Sequence, residues 1–220
     1  MKLPFALIAL LFMATLCRAD MVIVQQVDGA GQSGNMTIKF NGTNLRVDVS
    51  PQVSMITDTA TGDVTELLHD QKSYMVISAS AAKLMMDQAR AGMQSGTATA
   101  INPEPPRPTG KTDKINGYNA AEYVFNNGSL KATYWISSEF PNAKAVSAAL
   151  AQMQKGALAA MSKGIMPDVT NLPGVAIKSD FDMAGTKFTS QLVSASDQPV
   201  DPGDYKVPPG YAQMALPTAQ

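Results

Sequence analysis

Cysteine and histidine are almost absent from this chain of 220 residues, which holds one cysteine, Cys17, and one histidine, His69. A zinc site of the usual type draws its ligands mainly from these two residue types, and a redox pair needs two cysteines. The carboxylates of Asp58 and Asp63 lack the spacing of a calcium-binding loop. We therefore expect no metal site and no cofactor.

Basic charge is also scarce. Lys and Arg together number 17 against 18 Asp and Glu, and no block of basic residues interrupts the sequence. Because a nucleic-acid-binding protein needs a basic patch to neutralise phosphates, we expect no nucleic-acid partner. One basic residue, Arg46, lies between two apolar residues of a predicted strand and could form an exposed ion pair with Asp48 or Asp58.

A continuous apolar run occurs at the N-terminus. Lys2 supplies a positive start, residues 3–16 are apolar, and Cys17-Arg18-Ala19 offers a small-x-small cleavage site before Asp20. The run is shorter than the roughly 20 residues of a spanning helix, and the alternative is a buried N-terminal helix. We predict a signal peptide at 1–19 and a periplasmic or secreted mature chain without an integral membrane span.

Removal of this segment changes the chemistry of what remains. Lys2, Cys17 and Arg18 are lost, which leaves 15 basic residues against 18 acidic ones and no thiol. Disulfides and cysteine nucleophiles are then excluded. Stability must come from packing, which a chain of about 200 residues can supply.

Alternation of apolar and polar residues dominates the first third of the mature chain. Met36, Ile38 and Phe40 are separated by polar residues, and the alternation resumes at Leu45 after an Asn-Gly turn. This pattern predicts a hairpin with one buried face and one solvated face. Short strands at close spacing favour an antiparallel meander. The predicted strands are 21–27, 36–40, 45–49, 53–58, 64–69, 73–77, 111–115, 119–126, 129–137, 175–183 and 187–195.

Two segments have helical periodicity instead. Residues 81–94 follow a serine N-cap, Ser78 or Ser80, and residues 143–161 place apolar side chains on one side of a helix. Residues 95–109 between these halves contain four prolines, which predicts an extended loop. We predict a single α+β domain over 20–220, with helices on one face of a curved antiparallel sheet.

Catalytic motifs are missing as well. His69 precedes Asp70, but adjacent residues of a strand point to opposite faces, so this acid cannot easily orient the imidazole. The Gly-x-Ser-x-Gly nucleophile elbow does not occur. Asp180 and Asp182 share one strand face, a pattern typical of a solvated face. We predict that the protein is not an enzyme and that His69 lies at the surface near a strand end.

Methionine, in contrast, is abundant, with 14 residues in the sequence. Three interpretations are open. The methionines can pack a core, they can line an apolar pocket because the thioether side chain adapts to varied ligands, or they can bind Cu(I). Many of them occupy helix positions that Leu, Val and Ala also hold, which is typical of core packing. A methionine-lined pocket between sheet and helices would suit an acyl chain or a lipid.

Short motifs in a fixed order span nearly all of the mature chain: 40–48 (FNGTNLRVD), 55–58 (MITD), 110–118 (GKTDKINGY), 122–123 (EY), 135–137 (WIS), 172–174 (LPG) and 205–211 (YKVPPGY). Together they resemble a bacterial family of secreted domains of unknown function, distantly similar to the periplasmic lipoprotein-carrier (LolA/LolB-like) superfamily. The resemblance implies a strongly curved antiparallel sheet, an incomplete β-barrel, with two helices over its concave face. In the carrier superfamily that face holds acyl groups. No catalytic residues come with the resemblance.

We therefore expect an exported binding protein that holds a lipid-like ligand, or a lipoprotein, between sheet and helices. The alternative is an envelope structural or protein-interaction module whose core is filled and binds no ligand. An enzyme would require Asp180, Asp182 and His69 to converge in a cleft. The residues that we predict along an apolar cavity are Met36, Ile38, Phe40, Leu84, Met85, Val146, Leu150 and Met153.

Processing of the N-terminus gives the first test. Expressed in an exporting bacterial host, the protein should be recovered from the envelope or the medium with Asp20 as its first residue, because Ala19 ends the predicted cleavage site. Intact-mass measurement of the exported protein reads this directly. An exported chain that retains residues 1–19 would contradict the prediction.

Overall fold

The structure is a computed structural model that describes residues 20–29, 32–93, 104–128, 130–152, 156–162 and 166–216. The predicted signal peptide lies outside these residues. So do Met153 of the predicted site and residues 95–103 of the predicted proline-rich loop.

Twelve strands of the described residues form one open, curved sheet. They are β1 (Met21–Gly29), β2 (Gln32–Phe40), β3 (Asn44–Asp48), β4 (Val53–Asp58), β5 (Val64–Leu68), β6 (Ser73–Ile77), β7 (Arg107–Ile115), β8 (Tyr118–Asn126), β9 (Leu130–Ser137), β10 (Val175–Met183), β11 (Thr186–Asp197) and β12 (Ala212–Gln213). Their order in space is β12-β6-β5-β4-β3-β2-β1-β11-β10-β9-β8-β7. The short β12 runs parallel to β6, and every other described pair is antiparallel. The predicted antiparallel sheet is confirmed, and it is not a closed barrel.

The first strand and the last long strand meet near the centre of this sheet. Their register runs from Met21 opposite Asp197 to Gly29 opposite Phe188. On one side of this pair lie β2–β6, and on the other lie β10, β9, β8 and β7. The pairing of β1 with β11 therefore joins two meanders into one sheet.

Local turn chemistry explains why neighbouring strands form hairpins. In the predicted hairpin between β2 and β3, the Asn41 side-chain oxygen accepts hydrogen bonds from the backbone N–H groups of Thr43 and Asn44 at 3.0 and 2.7 Å. This arrangement satisfies two donors inside the turn and closes it. Between β10 and β11, the two turn residues Ala184 and Gly185 both have positive φ, as the favoured two-residue hairpin turn requires.

Three α-helices are described: α1 (Ala79–Met93), α2 (Ala143–Gln152) and α3 (Gly156–Ser162). The first confirms the predicted helix, and the Ser78 hydroxyl caps it by accepting from the N–H of Ala81 at 3.1 Å. The second predicted helix, 143–161, corresponds to α2 and α3, with residues 153–155 outside the described part. A 3₁₀ turn, Pro202–Tyr205, begins the C-terminal segment.

Hydrophobic clusters lie on both faces of the sheet, because the cluster under α2 and the cluster around Tyr134 use alternate residues of β8 and β9. Register aligns Ile23, Ile38, Val47 and Met55 in a row across β1–β4, and we call the side that carries this row the apolar face. The helix α2 packs on it, with Val146 fully buried. A second cluster surrounds Tyr134 on β8–β10, and a third joins β5 to α1 and α3 through Val64, Ala82 and Ala157.

The strand β7 begins earlier than expected. The predicted loop, 95–109, contains four prolines, but its last three residues, Arg107, Pro108 and Thr109, belong to the strand. A proline cannot donate to a sheet ladder and is tolerated where a strand has a neighbour on one side only. Because β7 ends the sheet and its register shifts between Pro108 and Thr112, the strand accommodates the proline.

Two glycines bring α3 against the loop between β4 and β5. The N–H of Ala157 donates to the carbonyl of Gly62 at 2.8 Å. Gly62 and Gly156 both have positive φ, and a Cβ on either residue would fall on the backbone of the other. The position of α3 over β5 therefore depends on the absence of side chains at these two sites.

Substitution of Gly156 by alanine tests this contact. We expect Gly156→Ala to lower the free energy of unfolding by about 2–4 kcal/mol, because left-handed backbone strain and overpacking combine. Gly185→Ala is the matched control, since Gly185 has positive φ (+89°) and open space around its Cβ position. The control should lose only about 1–2 kcal/mol in urea unfolding. Equal losses in the two variants would contradict the proposed contact.

Candidate functional site

Five of the predicted ligand contacts converge in the core under α2. Ile38 and Val146 are fully buried there. Three more, Met36, Phe40 and Leu150, are partly buried and pack against the same cluster. Residues of the first strands and of α2 thus belong to one packed cluster. The role of these residues as ligand contacts stays a prediction.

Two predicted contacts on α1 lie away from that core. Leu84 is 59% exposed and Met85 is 37% exposed. The residue that α1 buries is Ala82, which packs with Val64 and Ala157. Leu84 lies about 200° around the helix from Ala82 and therefore points away from this contact. The eighth predicted contact, Met153, lies outside the described residues.

The apolar face is less completely covered beyond β3. Val53, Met55, Met75 and Ile77 all project from this face of β4–β6 and are partly buried, as is Leu68. Met55 packs against both the α2 cluster and the cluster of α1 and α3. We call these five residues the apolar strip. It is the part of the face between the two helical covers where large apolar side chains retain access to solvent.

The opposite face of β2–β4 carries a cluster of polar side chains. Lys39, Arg46, Asp48 and Ser54 project from it, and a cleft of about 350 Å³ opens beside them, lined also by His69. The C-terminal segment packs over this face, since Arg46 Nη1 donates to the Asp204 carbonyl at 2.8 Å. Of the two predicted partners Arg46 pairs with Asp48, since its Nε donates to Asp48 Oδ1 at 2.6 Å, but the pair is partly buried and not exposed as predicted.

Ser54 is the centre of a hydrogen-bond network on this polar face. Its Oγ lies 2.7 Å from Asp48 Oδ1, 2.8 Å from His69 Nε2 and 3.2 Å from Arg46 Nη2. A hydroxyl has one proton, and the carboxylate of Asp48 can only accept it. Ser54 therefore donates to Asp48 and accepts from Arg46 and His69. The other ring nitrogen of His69, Nδ1, is 2.7 Å from the Tyr211 hydroxyl.

The assignment of donors and acceptors bears on the role of Ser54. A serine nucleophile must give its proton to the histidine, whereas Ser54 here donates to Asp48. Ser54 is also only 1% exposed. The network therefore fastens the C-terminal segment to the sheet through Asp204 and Tyr211. The prediction of a surface histidine missed these partners.

The other acids that we considered do not join this network. Asp180 accepts from the Thr189 hydroxyl at 2.7 Å and lies 3.2 Å from Lys178 Nζ. Asp182 accepts from the N–H of Gly185 in the hairpin turn. Their strand, β10, is six positions from β5 in the sheet. The convergence with His69 that an enzyme would require is not present in the described residues.

A second cleft, of about 310 Å³, lies at the N-terminal end of α2 beside Lys144, Ser147 and Pro173. Among the side chains that the structure describes, no group of three or more His, Cys, Asp or Glu residues is placed to hold a metal ion. No helix within the described ranges is both long enough and apolar enough to cross a membrane.

Fold and site together define an α+β domain with a large open sheet, an apolar face under helices and a polar face under the C-terminal segment. The chain belongs to the family described as a domain of unknown function (DUF4412), which matches residues 20–211. The resemblance to a domain family of unknown function is thereby confirmed. No curated protein matches the chain significantly.

Three solved proteins are similar in structure. PNGF-II is 12% identical with a TM-score of 0.40, over 89% of this chain and 31% of its own. The chain thus spans less than a third of the length of PNGF-II. The lipoprotein LppX of Mycobacterium tuberculosis is 10% identical with a TM-score of 0.39, over 84% of this chain and 90% of its own. A DUF1329 family protein from Desulfovibrio piger is 9% identical with a TM-score of 0.34, over 86% and 90%.

The electrostatics of Asp48 yield a pH prediction. Burial alone would raise the pKa of Asp48, but hydrogen bonds from Ser54 and Arg46, with the charges of Arg46 and Lys39, hold it below its usual value. A carboxylate whose folded pKa is depressed stabilises the fold above its unfolded pKa of about 3.9, and this contribution is lost as the pH falls through the folded pKa. Acid below about pH 4 should therefore destabilise the protein through this residue.

The variant Asp48→Asn isolates that contribution. We expect it to lose about 1–3 kcal/mol of unfolding free energy at pH 7, because charged hydrogen bonds are removed. Its stability should then fall less steeply than that of the parent between pH 4 and about pH 2. Asp113→Asn, which changes an exposed carboxylate on the edge strand β7, is the control and should keep the parent's slope. If the unfolding free energy of Asp48→Asn fell as steeply with decreasing pH as that of the parent, the assignment would be refuted.

Proposed function

We propose that the protein is an exported, non-enzymatic binding protein that holds a lipid-like apolar ligand against the apolar face of its sheet. The observation that carries this proposal is the apolar strip. Met55 packs against both helical clusters and Ile77 against that of α1 and α3, while all five side chains of the strip are only partly buried. Exposed apolar surface that continues into a core is typical of a ligand-binding groove.

Side-chain chemistry supports an adaptable ligand contact. Two of the five strip residues, Met55 and Met75, have unbranched thioether side chains that repack around varied apolar partners. Met36 and Phe40 extend the partly buried surface toward α2. An acyl chain laid across these residues would exchange water for apolar contacts.

The apolar face has a fully buried part under α2 and a partly exposed part at the apolar strip. Under α2, Ile38, Leu45 and Val146 have no exposed area. A ligand under α2 would have to displace that helix, whereas a ligand on the apolar strip would not. We therefore place the ligand on the strip.

The direct packing of α2 favours a second candidate function. Val146 and Ala149 are buried against the sheet, as expected of a filled core. A structural or protein-interaction module of the envelope would need no cavity. In this case the apolar strip would have no small apolar ligand.

Binding of an uncharged fluorescent probe, N-phenyl-1-naphthylamine, discriminates between the two functions. We expect the full mature chain to enhance its emission and Met55→Gln to weaken binding several-fold, because a polar amide replaces apolar contact. Val193→Gln is the matched control, since Val193 is an exposed valine (53%) on β11. Thermal unfolding of each variant checks that the fold is retained.

Native mass spectrometry of protein exported from its own host gives the second measurement. A copurified lipid on the parent chain would support the proposal. An empty chain, together with no enhancement of probe emission, would overturn it and favour the structural module.

A further inference from the structure

One charged residue lies on the apolar strip's own face. Register places Glu66 of β5 directly between Met55 of β4 and Met75 of β6. By the register of β1–β6, Glu66 is the only charged residue that projects from the apolar face of these described strands, because Lys39, Arg46 and Asp48 project from the other. Its side chain is partly buried.

This carboxylate has no partner within the described part of the chain. Neither a hydrogen bond nor a salt bridge involves the Glu66 side chain there, whereas Asp48 on the opposite face has Arg46, Lys39 and Ser54. An unpaired charge among apolar side chains is unfavourable. A residue of this kind on a surface proposed to bind a ligand indicates that the ligand supplies the missing charge.

Two unpaired hydroxyls accompany it. Thr57 is 2% exposed and Ser73 is 5% exposed, and neither side-chain oxygen has a hydrogen-bond partner in the described structure. Thr57 lies opposite Val64, and Ser73 lies opposite Leu68, so the two flank Glu66 diagonally on the same face. Diagonal neighbours in antiparallel strands are about 7–8 Å apart. Buried hydroxyls are normally paired, so these two add hydrogen-bonding capacity beside the carboxylate.

We propose that the apolar strip binds cationic amphiphiles, with the alkyl chain on Met55 and Met75 and an ammonium head group on Glu66. This inference rests on the proposed function and names the class of its ligand. Charge complementarity carries it, because the apolar face of β1–β6 offers one negative group and no positive one. A primary ammonium has three N–H donors and can donate to both oxygens of the Glu66 carboxylate.

Three twelve-carbon amphiphiles that differ in charge test the proposal: dodecylammonium, dodecyl maltoside and dodecyl sulfate, each below its critical micelle concentration. Displacement of N-phenyl-1-naphthylamine from the full mature chain at pH 7 reports their affinities. We expect dodecylammonium to bind about tenfold more tightly than the uncharged maltoside, as a hydrogen bond to a charged group implies. Dodecyl sulfate should be the weakest.

Glu66→Gln is the decisive variant. It should abolish the preference for dodecylammonium while the maltoside affinity is retained, and it should not lower the unfolding temperature, because no native bond is lost. Glu104→Gln is the control for general attraction of cations to an acidic protein, since the Glu104 side chain is 69% exposed and precedes β7. This control should keep the full preference.

The outcomes are distinguishable. A preference that survives in Glu66→Gln, disappears equally in Glu104→Gln, or favours the sulfate in the parent would overturn the cationic assignment while leaving the lipid-binding function in place. No displacement by any of the three amphiphiles would overturn both.

Discussion

The pairing of β1 with β11 is the constraint on which the rest of the structure depends. Met21 lies opposite Asp197, so two strands from distant parts of the sequence occupy adjacent positions near the sheet centre. Each meander by itself would expose a long unpaired edge at this place. Joined, they create a continuous face broad enough for α2 to pack across β1 and β10. Ile23 and Leu192, from opposite ends of the chain, then belong to one core.

Strict alternation gives this one sheet two unlike surfaces. Ser54 and Met55 are neighbours in sequence, yet the first belongs to the polar network and the second to the apolar strip. A register shift of one residue in β4 would exchange them and bury the polar set under the helices. The network around Ser54 therefore stabilises the register as well as the C-terminal segment, because its partners on β3 and after β5 match one alignment only. The proposed ligand face is defined by the same alignment.

Much of this fold could be predicted from the sequence, because the patterns that mark its strands and turns involve residues close together in the chain. Strands 53–58, 73–77 and 175–183 were bounded correctly by alternation and by the turns that follow them. The start of β7 was missed because Pro108 argues against a strand unless its place at the sheet edge is known. The contact of His69 with Tyr211 had no sequence signal, since the two residues are 142 positions apart. Leu84 and Met85 have the right chemistry for a ligand contact, but the rotation of α1 is set by its small residue Ala82 and by the glycine contact beneath α3.

The two ends of the sheet also differ in how they resist further growth. An edge strand presents free backbone N–H and C=O groups and can recruit a strand from another molecule, which leads to aggregation. At one end, β7 exposes Arg107, Lys111 and Lys114 and contains Pro108, and a charged, kinked edge repels such an addition. At the other end, β12 pairs with Ser73 and Tyr74, and the Met214 N–H donates to the Tyr74 carbonyl at 2.8 Å. The C-terminal segment thus covers the edge of β6. In this way a few residues near the end of the chain protect the sheet from aggregation through that edge.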